Sequence, residues 1–386
     1  MQPSSRERIL AAIACQQTDY TPLCFLLASE LTRRAGSGAV LPFVRQQIER
    51  GIDALVPLPS VPSAPHPDVT TEVWSEPAEP YPLLHKVYHT PAGDLECIVE
   101  KAWDWPHGDD IPLMSDFVIP RARKFLVEEE QHVAAIEYLL PEPTAEQIEA
   151  CRRQAKQLKE FARENGLATR AGFDRLADMA CWLCGQVEFA TMSLTAPDLL
   201  EGVLDAIWRH QRRRTEVLLE LEPDILVKPE WYGTPFLSPA LFRRFLGPAL
   251  DESASMAHDA GAKLCYLTTS NVMPFLETLM DLGVDAVFGV DPVQGRWDLA
   301  EAKRICAGRM CLWGGINGYM HIVSGTEADV EAAVRNAMEV LAPGGGYIMA
   351  PVDDVRIEPS DPDREGTWAR ICRNIDRMIA TWRSLQ

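Results

Sequence analysis

The chain has 386 residues and a net charge of -19, from 37 Lys and Arg against 56 Asp and Glu. At 47% hydrophobic and 24% charged it holds ample material for a core, which excludes a disordered chain. So acidic a protein is a poor partner for nucleic acid or an anionic membrane surface, and no apolar run approaches the roughly 20 residues of a membrane span.

Residues 1–8 lack the apolar core of a secretory signal, so a cytoplasmic protein is expected. The ten cysteines have no regular spacing and most lie in apolar patterns, as reduced core residues do. Cys181-Trp-Leu-Cys184 has CxxC spacing but sits in a helical run with no second pair nearby, which favours packing over zinc or redox chemistry.

In chain order, Ser4 or Ser5 is placed to cap a first helix over 6–15, with Ile9, Leu10 and Ile13 in one stripe. Residues 22–27 read as a first strand that leaves Ser29 and Glu30 at its C-terminal end. A helix over 40–50 and a second strand over 53–57 follow. From about 60 to 143 Pro is frequent and helical periodicity disappears; 73–74, 85–90 and 94–101 read as an antiparallel meander. Such a stretch is not a βα unit, and a lid-like insertion is the expectation. It carries His85, His89, Trp103, Trp105 and His107, either toward a site or as its own packing.

Thr144-Ala-Glu-Gln147 resembles a capping box that opens a helix over 144–165. A third strand over 167–172 and a long helix over 196–221 come next. From 222 to 355 short apolar runs alternate with amphipathic segments: 224–229, 263–268, 285–290, 310–314 and 347–350. Continuous apolar runs are strands buried on both faces, and parallel strands need helical crossovers, so the rhythm predicts βα units. Eight strands in all predict one domain over 1–386, an α/β fold of the (β/α)8 TIM-barrel type, with a β-rich insertion between strands 2 and 3. A last helix over 366–385 seals the far end.

Several motifs resemble the uroporphyrinogen decarboxylase superfamily: Ser5-Arg-Glu-Arg-Ile-Leu-Ala-Ala-Ile13 with Asp19-Tyr-Thr-Pro22, Thr90-Pro-Ala-Gly-Asp-Leu95, Leu237-Ser-Pro239, Gly283-Val-Asp285, Leu312-Trp-Gly-Gly-Ile-Asn317 with Ser324-Gly-Thr-Glu327, and Gly344-Gly-Gly-Tyr-Ile348. The resemblance spans nearly the whole chain. It implies either decarboxylation or methyl transfer to or from a corrinoid. Two signatures are missing. Leu26-Leu-Ala-Ser-Glu30 stands where the true decarboxylases carry an Arg-rich motif, so no cation clamp for a porphyrinogen is expected there. Leu267, Thr269 and Asp353 stand where thiol-methylating members have His-x-Cys and a later Cys, so zinc is not expected and no metal ligands are assigned.

In such barrels chemistry sits after the strands. Glu230 is the leading candidate for a general acid, with Tyr232 assisting and Asp353 as a further catalytic carboxylate. Lys228, Trp231, Asn271, Asp291, Asn317 and His321 are the substrate-binding candidates. Each has a plainer reading: Glu230 paired with Lys228, Asn271 as a helix cap, Asp291 before Pro292 in a turn, His321 beyond the Gly-Gly-Ile-Asn turn. The function expected is methyl transfer between a small methylated compound, such as a methoxylated aromatic, and a corrinoid protein as partner. The alternatives are a cofactor-independent decarboxylase of a small acid and a non-catalytic ligand-binding barrel. The resemblance also carries a homodimer as an expectation, with no stripe in the sequence behind it.

Overall fold

The computed structural model describes residues 2–35, 40–231 and 234–386. The strands are β1 (Leu55–Pro57), β2 (Thr70–Glu76), β3 (Leu83–Thr90), β4 (Gly93–Glu100), β5 (Ala122–Lys124), β6 (Ala168–Ala171), β7 (Ile225–Pro229), β8 (Lys263–Leu267), β9 (Ala286–Val290), β10 (Cys311–Asn317) and β11 (Tyr347–Val352). Seven of them form one all-parallel sheet in the order β1-β6-β7-β8-β9-β10-β11, with helical crossovers between neighbours. The other four make an antiparallel sheet, β2-β3-β4-β5, within the expected insertion.

Residues 22–27 do not form the full strand expected of them. Leu23 bridges Met349 of β11 and Cys24 bridges Asp53 beside β1, so the segment lies between the two edges of the parallel sheet. Pairing stops because the Phe25 amide donates to Gln47 Oε1 instead of to a neighbouring strand.

The inner face of the parallel sheet gathers Cys24, Leu55, Ala168, Val227, Cys265, Leu267, Phe288, Trp313 and Val352. The alternate residues, such as Leu226, Leu264, Val287 and Leu312, pack against the helices. Period-two alternation explains why each run is apolar throughout: both faces are covered. Helix Ser5–Ile13 puts Ile9, Ala12 and Ile13 into the inner cluster. It lies on the side where strands begin, since Arg6 donates to the Gly166 carbonyl ahead of β6 and pairs with Asp224 ahead of β7. The opposite side, where strands end, is thereby left as the open one.

The insertion buries Leu84, Tyr88, Leu95, Cys97 and Val99 in the larger core. Its histidines are absorbed locally. His85 lies 3.2 Å from both Glu76 and Glu96 and stacks on Trp74, and His89 pairs with Asp94 at 3.0 Å. His107 bonds Ser115, Trp105 is buried and Trp103 is fully in solvent. Among the described residues no helix is long and apolar enough to cross a membrane.

Candidate active site

Strand β7 sets the sidedness of the site. Ile225 and Val227 point to the inner cluster, so Lys228 and Glu230 point to the helices. There they border a closed space of about 30 Å³ lined by Trp208, Phe242, Leu250 and Tyr266. The Lys228 ammonium donates to Thr215 Oγ1 at 3.1 Å and lies 5.1 Å from the Trp208 ring; burial pushes its pKa down. The expectation that Lys228 and Glu230 meet substrate at the strand end is therefore corrected by register: both have their backs to the open side.

Glu230 caps a helix. Its carboxylate accepts the amides of Leu176 (2.6 Å) and Asp178 (3.1 Å) at the start of helix Leu176–Cys184. Burial, then the Asp178 charge, raises its pKa to about 8, outweighing the amides that favour the anion. Tyr232 lies outside the described residues.

A cavity of about 790 Å³ opens at the C-terminal ends of the strands, lined among others by Leu26, Arg33, Asp116, Trp231, Thr269, Asp353 and Arg356. Trp231 is held by three neighbours: its amide donates to the Asp178 carboxylate, the Arg175 guanidinium lies 3.7 Å over its ring, and Phe173 meets it edge-on at 6.3 Å. Asp353 follows β11 with φ of 62°, a left-handed backbone uncommon for a residue with a Cβ. Burial raises its carboxyl pKa, with the nearby Asp354 and Asp291 charges adding to the effect. Asp354 also lines the cavity, where it accepts from the amide and hydroxyl of Ser29. Arg33 supplies a cation at the rim that the motif comparison had not anticipated, but Glu30 engages it.

Asp291 and Asn317 are brought together. Pairing of β9 with β10 runs Trp313↔Phe288, then Gly314↔Val290, so Gly289 is an extra residue in the ladder. That bulge turns Val290 to the helices and leaves Asp291 to accept the Asn317 side-chain amide at 2.8 Å. Asn317 also donates to Gln294 and accepts the Met320 amide. Its hydrogen-bonding capacity is spent within the protein, which corrects the reading of it as a substrate-binding amide. His321 accepts the Asn317 backbone amide on Nδ1, and burial lowers its pKa. Asn271 accepts the amide of Met273 and so serves the following turn.

Sequence reasoning missed Arg170. In β6 it shares the inner face with Ala168, where its charge acts on Cys24 and Cys265. Among the described residues its side chain has no hydrogen bond and no ion pair, only the Phe173 ring at 5.5 Å. The signal was present: a charge at an alternating position in an otherwise apolar strand.

The donor set does not fit zinc. Leu267 belongs to the inner cluster, and Thr269 and Asp353 offer one carboxylate between them. Among the described residues no group of three or more His, Cys, Asp or Glu is placed to hold a metal. Cys181 and Cys184 are buried, with thiol pKa values pushed up by burial.

The uroporphyrinogen decarboxylase (URO-D) family profile matches residues 116–357, more than half of the chain. The chain belongs to the uroporphyrinogen decarboxylase family. That stretch contains β6 to β11 and every sequence-predicted candidate named above. Among solved structures, a methyltransferase from Methanosarcina mazei is similar over 99% of each chain, at 17% identity and a TM-score of 0.61. The likeness shows that this member shares the methyltransferase's fold along nearly its full length. D-psicose 3-epimerase from Clostridium cellulolyticum H10 is matched over 60% of this chain and 81% of that one, at 14% identity and a TM-score of 0.36. No curated protein matches the sequence.

Proposed function

We propose that the chain is a methyltransferase of the uroporphyrinogen decarboxylase superfamily that moves a methyl group between a small methylated compound, such as a methoxylated aromatic, and the corrinoid of a separate protein. The observation that carries the reading is Asp353: a carboxyl whose pKa is raised by burial, on a left-handed backbone, in the same cavity as the Trp231 ring. A methoxy oxygen is a poor leaving group until it is protonated, and a carboxyl whose pKa is raised by burial is better suited than an ordinary one to supply that proton. Trp231 gives a flat wall for an aromatic substrate. The corrinoid supplies the methyl acceptor; this chain's residues bind the substrate and protonate the leaving oxygen. In this reading the 22–24 segment, paired on both sides, completes an eight-stranded (β/α)8 barrel around the cavity. The methyltransferase fold shared with the Methanosarcina protein supports it.

A second reading, cofactor-independent decarboxylation of a small acid, is favoured by the family match. One experiment separates the two: cob(I)alamin and a panel of methoxylated aromatics are followed for methylcobalamin absorbance, and the same panel with small acids is followed for CO₂. Methylcobalamin that disappears in Asp353→Asn supports methyl transfer; CO₂ release without methylcobalamin replaces it by the second reading.

A further inference from the structure

We infer that Arg170 is an anion-binding residue of the same cavity and that the substrate carries a carboxylate. The inference rests on reading the cavity at the strand ends as the substrate site.

Arg170 occupies an unusual position for a charge. The two arginines buried most fully are matched, Arg8 with Asp19 and Asp53 and Arg214 with Asp174, whereas Arg170 is half-buried. Arg170 stands on the inner face among Cys24, Ala168 and Cys265 with no carboxylate, carbonyl or hydroxyl on its guanidinium among the described residues. Among the described residues none of the chain's 56 acidic side chains forms an ion pair with it. A half-buried guanidinium with no partner among the described residues is open to an anion from solvent, and the apolar wall around it strengthens such a contact.

The route to Arg170 is set by the packing. Ile9, Ala12 and Ile13 close the side where strands begin. Arg170 nevertheless keeps partial exposure, so solvent reaches it from the side where strands end. Phe173, against which it rests, touches Trp231, and Trp231 lines the cavity. Phe173 thus links Arg170 to the cavity wall, and an acidic substituent on a ring seated against Trp231 would have to pass Phe173 to meet the guanidinium.

The chemistry favours a carboxylate over a phosphate. A guanidinium offers a planar pair of N–H donors that matches a carboxylate bidentately. A dianionic phosphate would call for a second cation, and Lys228 is on the other face of the sheet. Burial lowers the Arg170 pKa to about 10, which leaves the group charged at neutral pH.

The test is binding to the full chain, read by titration calorimetry, of para-methoxybenzoate and its neutral analogue para-methoxytoluene. Wild type is expected to prefer the carboxylate. Arg170→Met should weaken the carboxylate on the order of 10²-fold and leave the neutral analogue within a few-fold. Arg170→Lys should restore part of the loss, since it keeps the charge and loses the fork. A melting temperature for Arg170→Met no lower than wild type would show the variant folded. Equal affinity of wild type for both analogues, binding of neither, or unchanged carboxylate affinity in Arg170→Met would overturn the inference. Binding is read without turnover, so carboxylate capture through Arg170 with no methylcobalamin refutes methyl transfer alone, and methylcobalamin formed equally well by Arg170→Met refutes the anion site alone.

Discussion

Glu230 and Asp178 hold each other's segments in place: the Glu230 carboxylate accepts the Asp178 amide at 3.1 Å, and the Asp178 carboxylate accepts the amide of Trp231, next to Glu230, at 2.8 and 3.0 Å. The clasp joins the end of β7 to the start of helix Leu176–Cys184 and fixes one wall of the cavity. Glu230 thus acts on the cavity wall through Trp231's backbone, from the helix face of β7.

Glu230→Gln should therefore cost stability first. The substituted NH₂ faces backbone donors, and leaving such a buried amide without its acceptor costs about 1 to 3 kcal/mol. Urea unfolding reads this directly. A turnover loss with unchanged stability would return Glu230 to the chemistry.

The same residue has a pH signature. Its folded pKa lies near 8 against an ordinary 4.5, so the folded state binds the extra proton between those values. Its contribution is fully present below the ordinary value and is lost as pH rises through the folded one. Wild-type stability should fall across that window relative to Glu230→Gln, compared by unfolding at several pH values. A parallel pair of curves would contradict the raised pKa.

Asp353 allows function and stability to be pulled apart. Asp353→Asn tolerates the left-handed backbone and should lower turnover roughly 10²-fold with little change in melting. Asp353→Gly removes the backbone strain, so it should stabilise the fold by about 0.5 to 1 kcal/mol while removing activity. A destabilised Asp353→Gly would mean that the side chain's own contacts outweigh the strain.

On the closed side, Arg8 bonds Asp53 at 2.8 Å with both side chains buried, and burial raises the Asp53 pKa. Arg8→Met leaves that carboxylate unpaired and should cost about 3 to 5 kcal/mol in denaturant unfolding. Arg8 lies far from the cavity in the chain's layering, so substrate affinity of the folded fraction should stay unchanged.

Gly289 has φ of 119°, and a Cβ there would sit 1.7 Å from the Thr268 carbonyl oxygen. Gly289→Ala cannot keep the bulge. Soluble yield and thermal melting should both fall sharply; a normally folded variant would show that the bulge can be rebuilt without glycine.

Much of the chain's order was legible because apolar runs and capping signals are local. The helix Pro197–Leu219 and the Thr144 capping box fall where the pattern put them, and the parallel strands lie within a residue or two of their runs at most ends. Sidedness was harder. Lys228 and Glu230 were correctly placed together, but alternation alone does not say which face is inner; that depends on Val227 packing with residues from six other strands. Asp291 was named from the sequence, but its bond to Asn317 was not legible, since a single extra residue at Gly289 changes the facing of the side chains after it. Arg170 could have been noticed in its strand, but its lack of a partner is a property of three dimensions.

The pairing of Leu23 with Met349 has a bearing on biosynthesis. During translation the segment around Leu23 emerges before every strand of the parallel sheet and waits for β11, which is made after all the others. Until then the parallel sheet ends at β10, whose free edge and the waiting Leu23 segment stand with unpaired backbone groups. A nascent chain stalled before Tyr347 should accordingly be the species that recruits chaperones or aggregates, and slowing synthesis over the final helix would prolong that exposure.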